Sequence, residues 1–573
     1  MSPPGLSRRP ANVRTGIVAA VPWTIIAGLT LAGWYPTIPV EPRQADTPRT
    51  EFSAARAMEH VDQIARAPHP IGSPEIERVR DYITVEVEAL DLEVDLQTVP
   101  AHDFYGDGGS IDVVNVIAWI PGFANTKAVV IVGHYDTFPA TPGANDNSAA
   151  VAAMLEAARA LQAGPPLDND IVFLFTDGEE PFNRFGSNGF AAVPGLLDSL
   201  GVVVNLEANG SGGASTLVET NGPQSWLVGG FGSAADSPAA YSFLTETTEL
   251  IGEIGTDFDV FRRSGLPGLH FAYLRGSPIY HTMEDDIDSV GLGSLQHHGE
   301  NILAIARHFG HLDLSTIPSS GRSVFFTAGP FFVLYSARWA AVLAVFVAGL
   351  YGLPFVGSRR RSACRWQDVV KSAAVMAGAA LSGAVAGTFG WLVVTDLRPS
   401  LGVVESYGYF AVILAAAVLV ARWVVERVGG RRTESSRYGI VLLWAILALA
   451  TSAVLSGFSY LFVWPTIAAA AGLLWHPGSR AWAIFRFVVV ATPTMLLMTP
   501  AVDYLFLFAQ PRPGNLDSEL TVVVVVPLLF GVLVAALLER RWHAPDGGLG
   551  PLEFSEHDRR GVHGHLVDER HGG

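Results

Sequence analysis

Two regimes of hydrophobic patterning divide the chain. Between about residues 39 and 320, short apolar runs alternate with stretches whose apolar residues recur at helical spacing. The runs at 113–120, 128–132, 171–175, 202–206 and 267–273 predict buried strands. The stretch 147–161, NSAAVAAMLEAARAL, predicts an alanine-rich helix that buries one face. A second helix, over 292–312, closes the block. Strands that alternate with helices predict an α/β fold: a mixed, mostly parallel sheet flanked by helices, with its site at the carboxyl ends of the strands.

The second regime is membrane-like. A bilayer core takes about 20 mostly apolar residues in a helix. The run at 15–35 follows Arg8, Arg9 and Arg14. It is long for a signal sequence and no small-x-small cleavage site follows it, so it predicts an uncleaved anchor. After residue 320, spans are predicted near 332–356, 372–395, 407–425, 439–456, 459–475, 483–508 and 519–538. The pair around Gly457 and Pro465 could instead be one long broken segment. Arginines cluster after alternate spans, at 359–361, 427–437, 480–486 and 540–541, and mark those loops as cytoplasmic. The layout is then a cytoplasmic N-terminus (1–14), a transmembrane anchor (15–37), an extracytoplasmic domain (45–320), a membrane domain of about seven helices (330–540) and a cytoplasmic tail (543–573). The tail, rich in Gly, His, Asp and Arg, reads as disordered. The extracytoplasmic side is outside the plasma membrane in a bacterium and a lumen in a eukaryote.

Composition sharpens this division. Of 573 residues, 49% are hydrophobic and 16% charged, which is too apolar for an ordinary soluble protein. Residues 41–320 carry a net charge of −26 and the remainder +9. The acidic block would repel phosphate, which excludes nucleic-acid binding. The only cysteine, Cys364, excludes a disulfide scaffold. Charged residues within the spans are few: Arg338, Arg422 and Asp503 lie near predicted ends, where snorkelling accounts for them, so transport is disfavoured.

The polar residues that can do chemistry fall at the predicted strand ends. His134 and Asp136 stand in GHYD, Asp146 in GANDNSAA, Glu179 and Glu180 in DGEE, Glu207 in NLEANG, and His281 in YHTMEDD. Singly, each has an ordinary reading: a surface histidine, a solvated helix start, an Asn/Asp turn with a cap. Together, two imidazoles and three carboxylates favour Zn²⁺. Five ligands exceed one tetrahedral ion and suit two ions that share a carboxylate. Of the adjacent Glu179 and Glu180, one can ligate while the other accepts a proton from water.

These motifs resemble those of the M28 family of zinc peptidases, over about residues 50–315. PHPIGS at 68–73, ERVRDYI, NLEANGSGG, TDFDVFRRSGLPGL and IYHT are similar to the endoplasmic reticulum metallopeptidase and vacuolar membrane protease branch. The resemblance implies that His134 and Glu207 hold one zinc, Glu180 and His281 the other, and that Asp146 bridges them. It implies Glu179 as general base, Asp136 as the carboxylate that orients the His134 ring, Asp285 in a supporting role, and a cis bond at Asp146–Asn147.

The expected function is a membrane-anchored dinuclear zinc exopeptidase, an aminopeptidase that acts on peptide or protein N-termini, with the lipid bilayer as its other partner. A carboxypeptidase or other amide hydrolase would need a cation for the substrate carboxylate, for which Arg262, Arg263 and Arg275 are available. A non-catalytic receptor or a transport-associated protein is the remaining alternative.

Overall fold

The structure is a computed structural model that describes residues 13–102, 108–180, 183–360, 365–398, 403–428, 434–474 and 480–510. Its centre is an eight-stranded sheet built from β1 (Glu93–His102), β2 (Ser110–Ile120), β3 (Ala128–His134), β4 (Ile171–Thr176), β5 (Leu200–Ala208), β6 (Thr216–Asn221), β7 (Ala239–Ala240) and β8 (Gly268–Tyr273). The strand order is β1-β2-β4-β3-β5-β8-β6-β7. The four central strands, β4, β3, β5 and β8, run parallel, and β2 and β6 flank them antiparallel.

The central strands are buried along their whole length because helices cover both faces. Alternation assigns their side chains to two cores. Val129 and Ile131 face the helices Ala54–Ile64, Ala150–Gln162 and Leu292–Gly310. Val130 and Val132 face Phe190, Phe258 and Phe261. Ser53 and Ser73 cap the two helices that precede the sheet, accepting from the Arg56 and Ile76 amides at 3.3 and 3.2 Å. The loop just before Ser73 lies beside the site: the His69 amide donates to Thr137 Oγ1 at 3.0 Å.

Among the described residues, six helices are long and apolar enough to cross a membrane: 337–358, 366–397, 405–428, 435–454, 456–474 and 481–508. The expected span at 519–538, the tail and Cys364 lie outside the described residues. The expected anchor region forms the helix Val13–Trp34. A Cβ on its Gly33 would stand 2.8 Å from the Met495 carbonyl oxygen, so this helix packs tightly on Arg480–Ala509.

Two expectations about the membrane half need correction, at residues 332–336 and at Asp503, and one holds. The apolar run that begins at 332 does not start in a helix. Phe331–Ser336 is β10, paired antiparallel with β9 (Ser323–Ala328), and the helix begins at Ala337. The doubtful pair is two helices, separated by the tight turn Ser456–Phe458, with Pro465 inside the second. That turn docks on the sheet-domain helix Ser242–Ile251: Ser242 Oγ donates to the Gly457 carbonyl at 2.8 Å, and the Gly457 amide donates to Glu246. Asp503 does not snorkel; its carboxylate is largely buried against Arg275 of the sheet domain.

Candidate metal centre

The parallel register brings the strand ends level, with His134 opposite Thr176 and Glu207 opposite Ala272. His134 ends β3, and Glu207 is the penultimate residue of β5. Glu179 and Glu180 lie in the turn after β4. Asp146 sits in the turn Ala144–Ala149 that leads into the alanine-rich helix, and His281 sits in the loop after β8. Gly143 opens the Asp146 turn with φ 64°, where a Cβ would meet Thr137 at 2.4 Å. All six side chains are buried, none more than 6% exposed.

Asp146 lies at the middle. Its Oδ1 is 3.4 Å from His134 Nε2, and its Oδ2 is 3.2 Å from His281 Nε2. Glu207 Oε2 is 3.4 Å from His134 Nε2, and Glu180 Oε1 is 2.7 Å from His281 Nε2. Two potential ligand sets result, His134–Asp146–Glu207 and Asp146–Glu180–His281, each with its ligand atoms within 4.8 Å of one another. His134, Glu179 and Glu180 form a third such group. Glu179 Oε2 stands 4.0 Å from His134 Nε2.

Burial raises the carboxyl pKa values of Glu179 and Glu180, and lifts Glu207 to about 7. Burial also acts to raise Asp146, but the closeness of the two imidazoles holds it down, at about 2. Burial would lower the imidazoles, yet Glu207 and Glu179 draw His134 well up, and Asp146 and Glu180 bring His281 to about 9. Positive charge is thus favoured between these carboxylates. His134 Nε2, Asp146 Oδ2, Glu180 Oε2 and Glu207 Oε1 are buried and make no hydrogen bond among the described residues. Buried polar atoms are rarely left so. Borderline nitrogen and oxygen donors around unpartnered lone pairs fit zinc.

The surrounding residues hold these groups in place. Asp136 differs from expectation. The nearer partner of His134 Nδ1 is the Asp136 main-chain carbonyl, at 3.0 Å, while the carboxylate lies 3.6 Å away. That carboxylate accepts the Glu179 and Glu180 amides at 3.1 and 2.9 Å, and so sets the turn that carries both. Asp285 accepts from the Asn145 amide and side chain at 2.8 Å each, and from the Asp146 amide at 3.1 Å. The Asp146–Asn147 peptide is cis, and Asn147 Nδ2 donates to the Leu206 carbonyl at 2.9 Å. Phe138 and Tyr280 stack on His281, with ring centroids at 4.4 and 3.7 Å.

Sequence reasoning missed Asp257. It is fully buried, accepts from Thr176 Oγ1 at 2.5 Å and adds negative charge beside Glu179 and Glu207. Its segment, TDFDVF, offers two acids two residues apart. Only the fold distinguishes Asp257 from Asp259, which pairs with Arg184 and Arg262.

Residues 115–306, which carry this cluster, match the model of Peptidase family M28. This part of the chain is similar to a peptidase M28 domain. Among relatives, endoplasmic reticulum metallopeptidase 1 of Mus musculus is 30% identical over 318 residues, which cover 51% of this chain and 35% of that protein. The putative endoplasmic reticulum metallopeptidase 1 of Schizosaccharomyces pombe is 33% identical over 336 residues, 52% of this chain and 40% of that one. The vacuolar membrane protease of Candida albicans is 28% identical over 260 residues, 45% and 30% respectively. The matched stretch therefore spans 35% of the length of the mouse relative. The aminopeptidase from Aneurinibacillus sp. strain AM-1 aligns over 48% of this chain and 99% of its own, with TM-score 0.38 and 17% identity. With its apolar helices, the chain is a multi-pass membrane protein that carries a peptidase domain.

Proposed function

We propose that this protein is a dinuclear zinc aminopeptidase whose catalytic domain faces away from the cytoplasm. The observation that carries this reading is the placement of Asp146, with one carboxylate oxygen toward His134 and Glu207 and the other toward His281 and Glu180. His134 and Glu207 would hold one ion, His281 and Glu180 the other, and Asp146 both. Zinc, when bound, supplies a Lewis acid for the scissile carbonyl and lowers the pKa of water.

The side chains do the rest. Glu179 belongs to neither of the two sets that share Asp146, and burial raises its pKa toward the range of a working base. It takes a proton from the attacking water and passes it to the leaving amine. Buried carboxylates near the site favour a cationic substrate N-terminus. The arginines that a carboxypeptidase would use are engaged elsewhere: Arg262 with Asp259, Arg263 with Glu253 and Arg275 with Asp503. This supports peptide or protein N-termini as substrates.

Glu179→Gln tests the assignment in the full-length protein. Turnover of free-amine peptides is expected to fall by about 10²–10⁴-fold with zinc content unchanged. Retained turnover would overturn the role of Glu179, and preferential cleavage of N-blocked peptides from the carboxyl end would overturn the aminopeptidase reading.

A further inference from the structure

The loop that carries His281 is fastened to the membrane half. Arg275 follows β8 and precedes His281 by six residues. Its guanidinium donates to Thr37 Oγ1 at 2.8 Å, pairs with Asp503 and lies over the Trp34 ring, 4.9 Å from its centroid. Trp34 ends the helix Val13–Trp34 and Thr37 lies in the turn after it, while Asp503 belongs to Arg480–Ala509. Farther along the loop, Ser277 Oγ donates to Gln510 Oε1 at 2.8 Å. The main chain of Arg275 is tied as well. Its carbonyl accepts the Ser211 and Gly212 amides at 2.7 and 3.0 Å, and its amide donates to the Gly212 carbonyl at 2.9 Å. A Cβ on Gly210 would stand 2.3 Å from that Arg275 carbonyl, so the loop after β5 closes tightly over it.

A largely buried carboxylate on a membrane helix demands a partner, and breaking such a pair leaves an uncompensated charge. Here the partner comes from the sheet domain. The two ligand sets differ in what holds them. His134 and Glu207 are residues of strands β3 and β5, fixed by the sheet ladder. His281 stands in a loop whose approach runs through Arg275 and Ser277.

We propose that Arg275 is a positioning residue: through Asp503, Thr37 and Trp34 it fixes the path from β8 to His281, and so sets the geometry of the Asp146–Glu180–His281 set. The metal part of this inference rests on the dinuclear reading above. The membrane helices are then a structural component of one metal site and not only a tether.

The test uses the full-length protein in detergent or nanodiscs, with Asp503→Asn, and Asp503→Glu as the conservative variant that keeps the carboxylate. Two readouts are taken: amide hydrogen exchange, and zinc affinity by competition with a chelator. In Asp503→Asn, exchange across 274–285 is expected to rise at least about tenfold, with 128–134 and 171–176 unchanged. One of two zinc ions is expected to bind about 10–100-fold more weakly, the scale at which outer contacts act on metal sites. Asp503→Glu is expected to restore both. Unchanged exchange and affinity in Asp503→Asn overturn the proposal, as does equal loss of protection in the central strands. Should Asp503→Asn fail to fold, Ser277→Ala removes only the Gln510 bond and is read in the same way. A wild-type chain that takes up no zinc overturns the dinuclear reading, while the exchange data still decide whether the membrane helices hold the loop.

Discussion

Asp146 can face both ligand pairs only because its neighbours leave its main chain no other course. Asp285 accepts three hydrogen bonds from the two residues Asn145 and Asp146. Asp285→Ala is expected to weaken zinc binding by about 10–100-fold while the fold survives, as measured by chelator competition and circular dichroism. The histidines give a pH signature to the metal-free protein. His281 is raised to about 9, above the unfolded value of 6.5. Its stabilising contribution is therefore complete below pH 6.5 and lost as pH rises through 9. Chelated protein should lose thermal stability between pH 7 and 9, whereas zinc-loaded protein, in which the metal replaces that proton, should not. The residues legible in the sequence were those whose type is unusual for their position: an imidazole or paired acids where an apolar strand ends. Asp257 was illegible because a second acid two residues away looks the same. The Asp136 contact to His134 was legible as proximity, but not in its form, since a main-chain carbonyl leaves no trace in residue type.

At the scale of elements, the alanine-rich helix shows what patterning captures and what it omits. Its alanines let it lie close against the sheet and its neighbours, and Ala150–Gln162 is buried at nearly every position, beyond the single face expected. Glu156 is buried within it, where it accepts from Arg56 Nε at 2.8 Å, Arg159 Nε at 2.6 Å and the Ser53 amide at 3.1 Å. One carboxylate thus joins this helix to Ala54–Ile64 and its cap. Glu156→Ala leaves two arginines without their partner and is expected to cost about 3–5 kcal/mol, measurable by denaturant titration of the peptidase domain's unfolding. The central strands were legible because burial on both faces writes a continuous apolar run. β1 was not: it is an edge strand, mostly exposed, with Pro100 inside it. β10 was hidden for the opposite reason, since its apolar residues merge with those of the membrane helix that follows.

Across the whole molecule, burial gives the sheet domain two opposed responses to acid. His69, His270, His297 and His298 are fully buried, and burial lowers them to about 4, 3, 4 and 3. Each stays neutral in the fold but takes a proton near pH 6.5 once unfolded, so stability falls as pH drops from 6.5 toward 4. Glu219, raised by burial to about 8, acts in the opposite sense, stabilising the fold as pH falls from 8 toward 4.5. Asp177, Glu207 and Asp285, raised by burial to about 8, 7 and 6, act with Glu219 and offset the loss at the histidines. The division into a sheet domain and apolar helices was legible from hydropathy. The joint between them was not, because a salt bridge from Arg275 to Asp503 joins positions 228 residues apart.

The strand order also governs when the candidate metal centre can come into being. β8 lies between β5 and β6, although the chain makes β6 first. While a growing chain is shorter than about 270 residues, β6 has no place in the sheet, and His281, the last residue of the candidate metal centre, does not yet exist. Asp503 is made later still, after five of the six long apolar helices. Synthesis thus supplies the parts in a fixed order: the sheet strands, then the apolar helices, and only within the last of those described the partner of Arg275. The chain therefore makes most of its buried cluster of acids and histidines long before the residue that clasps the cluster's last loop.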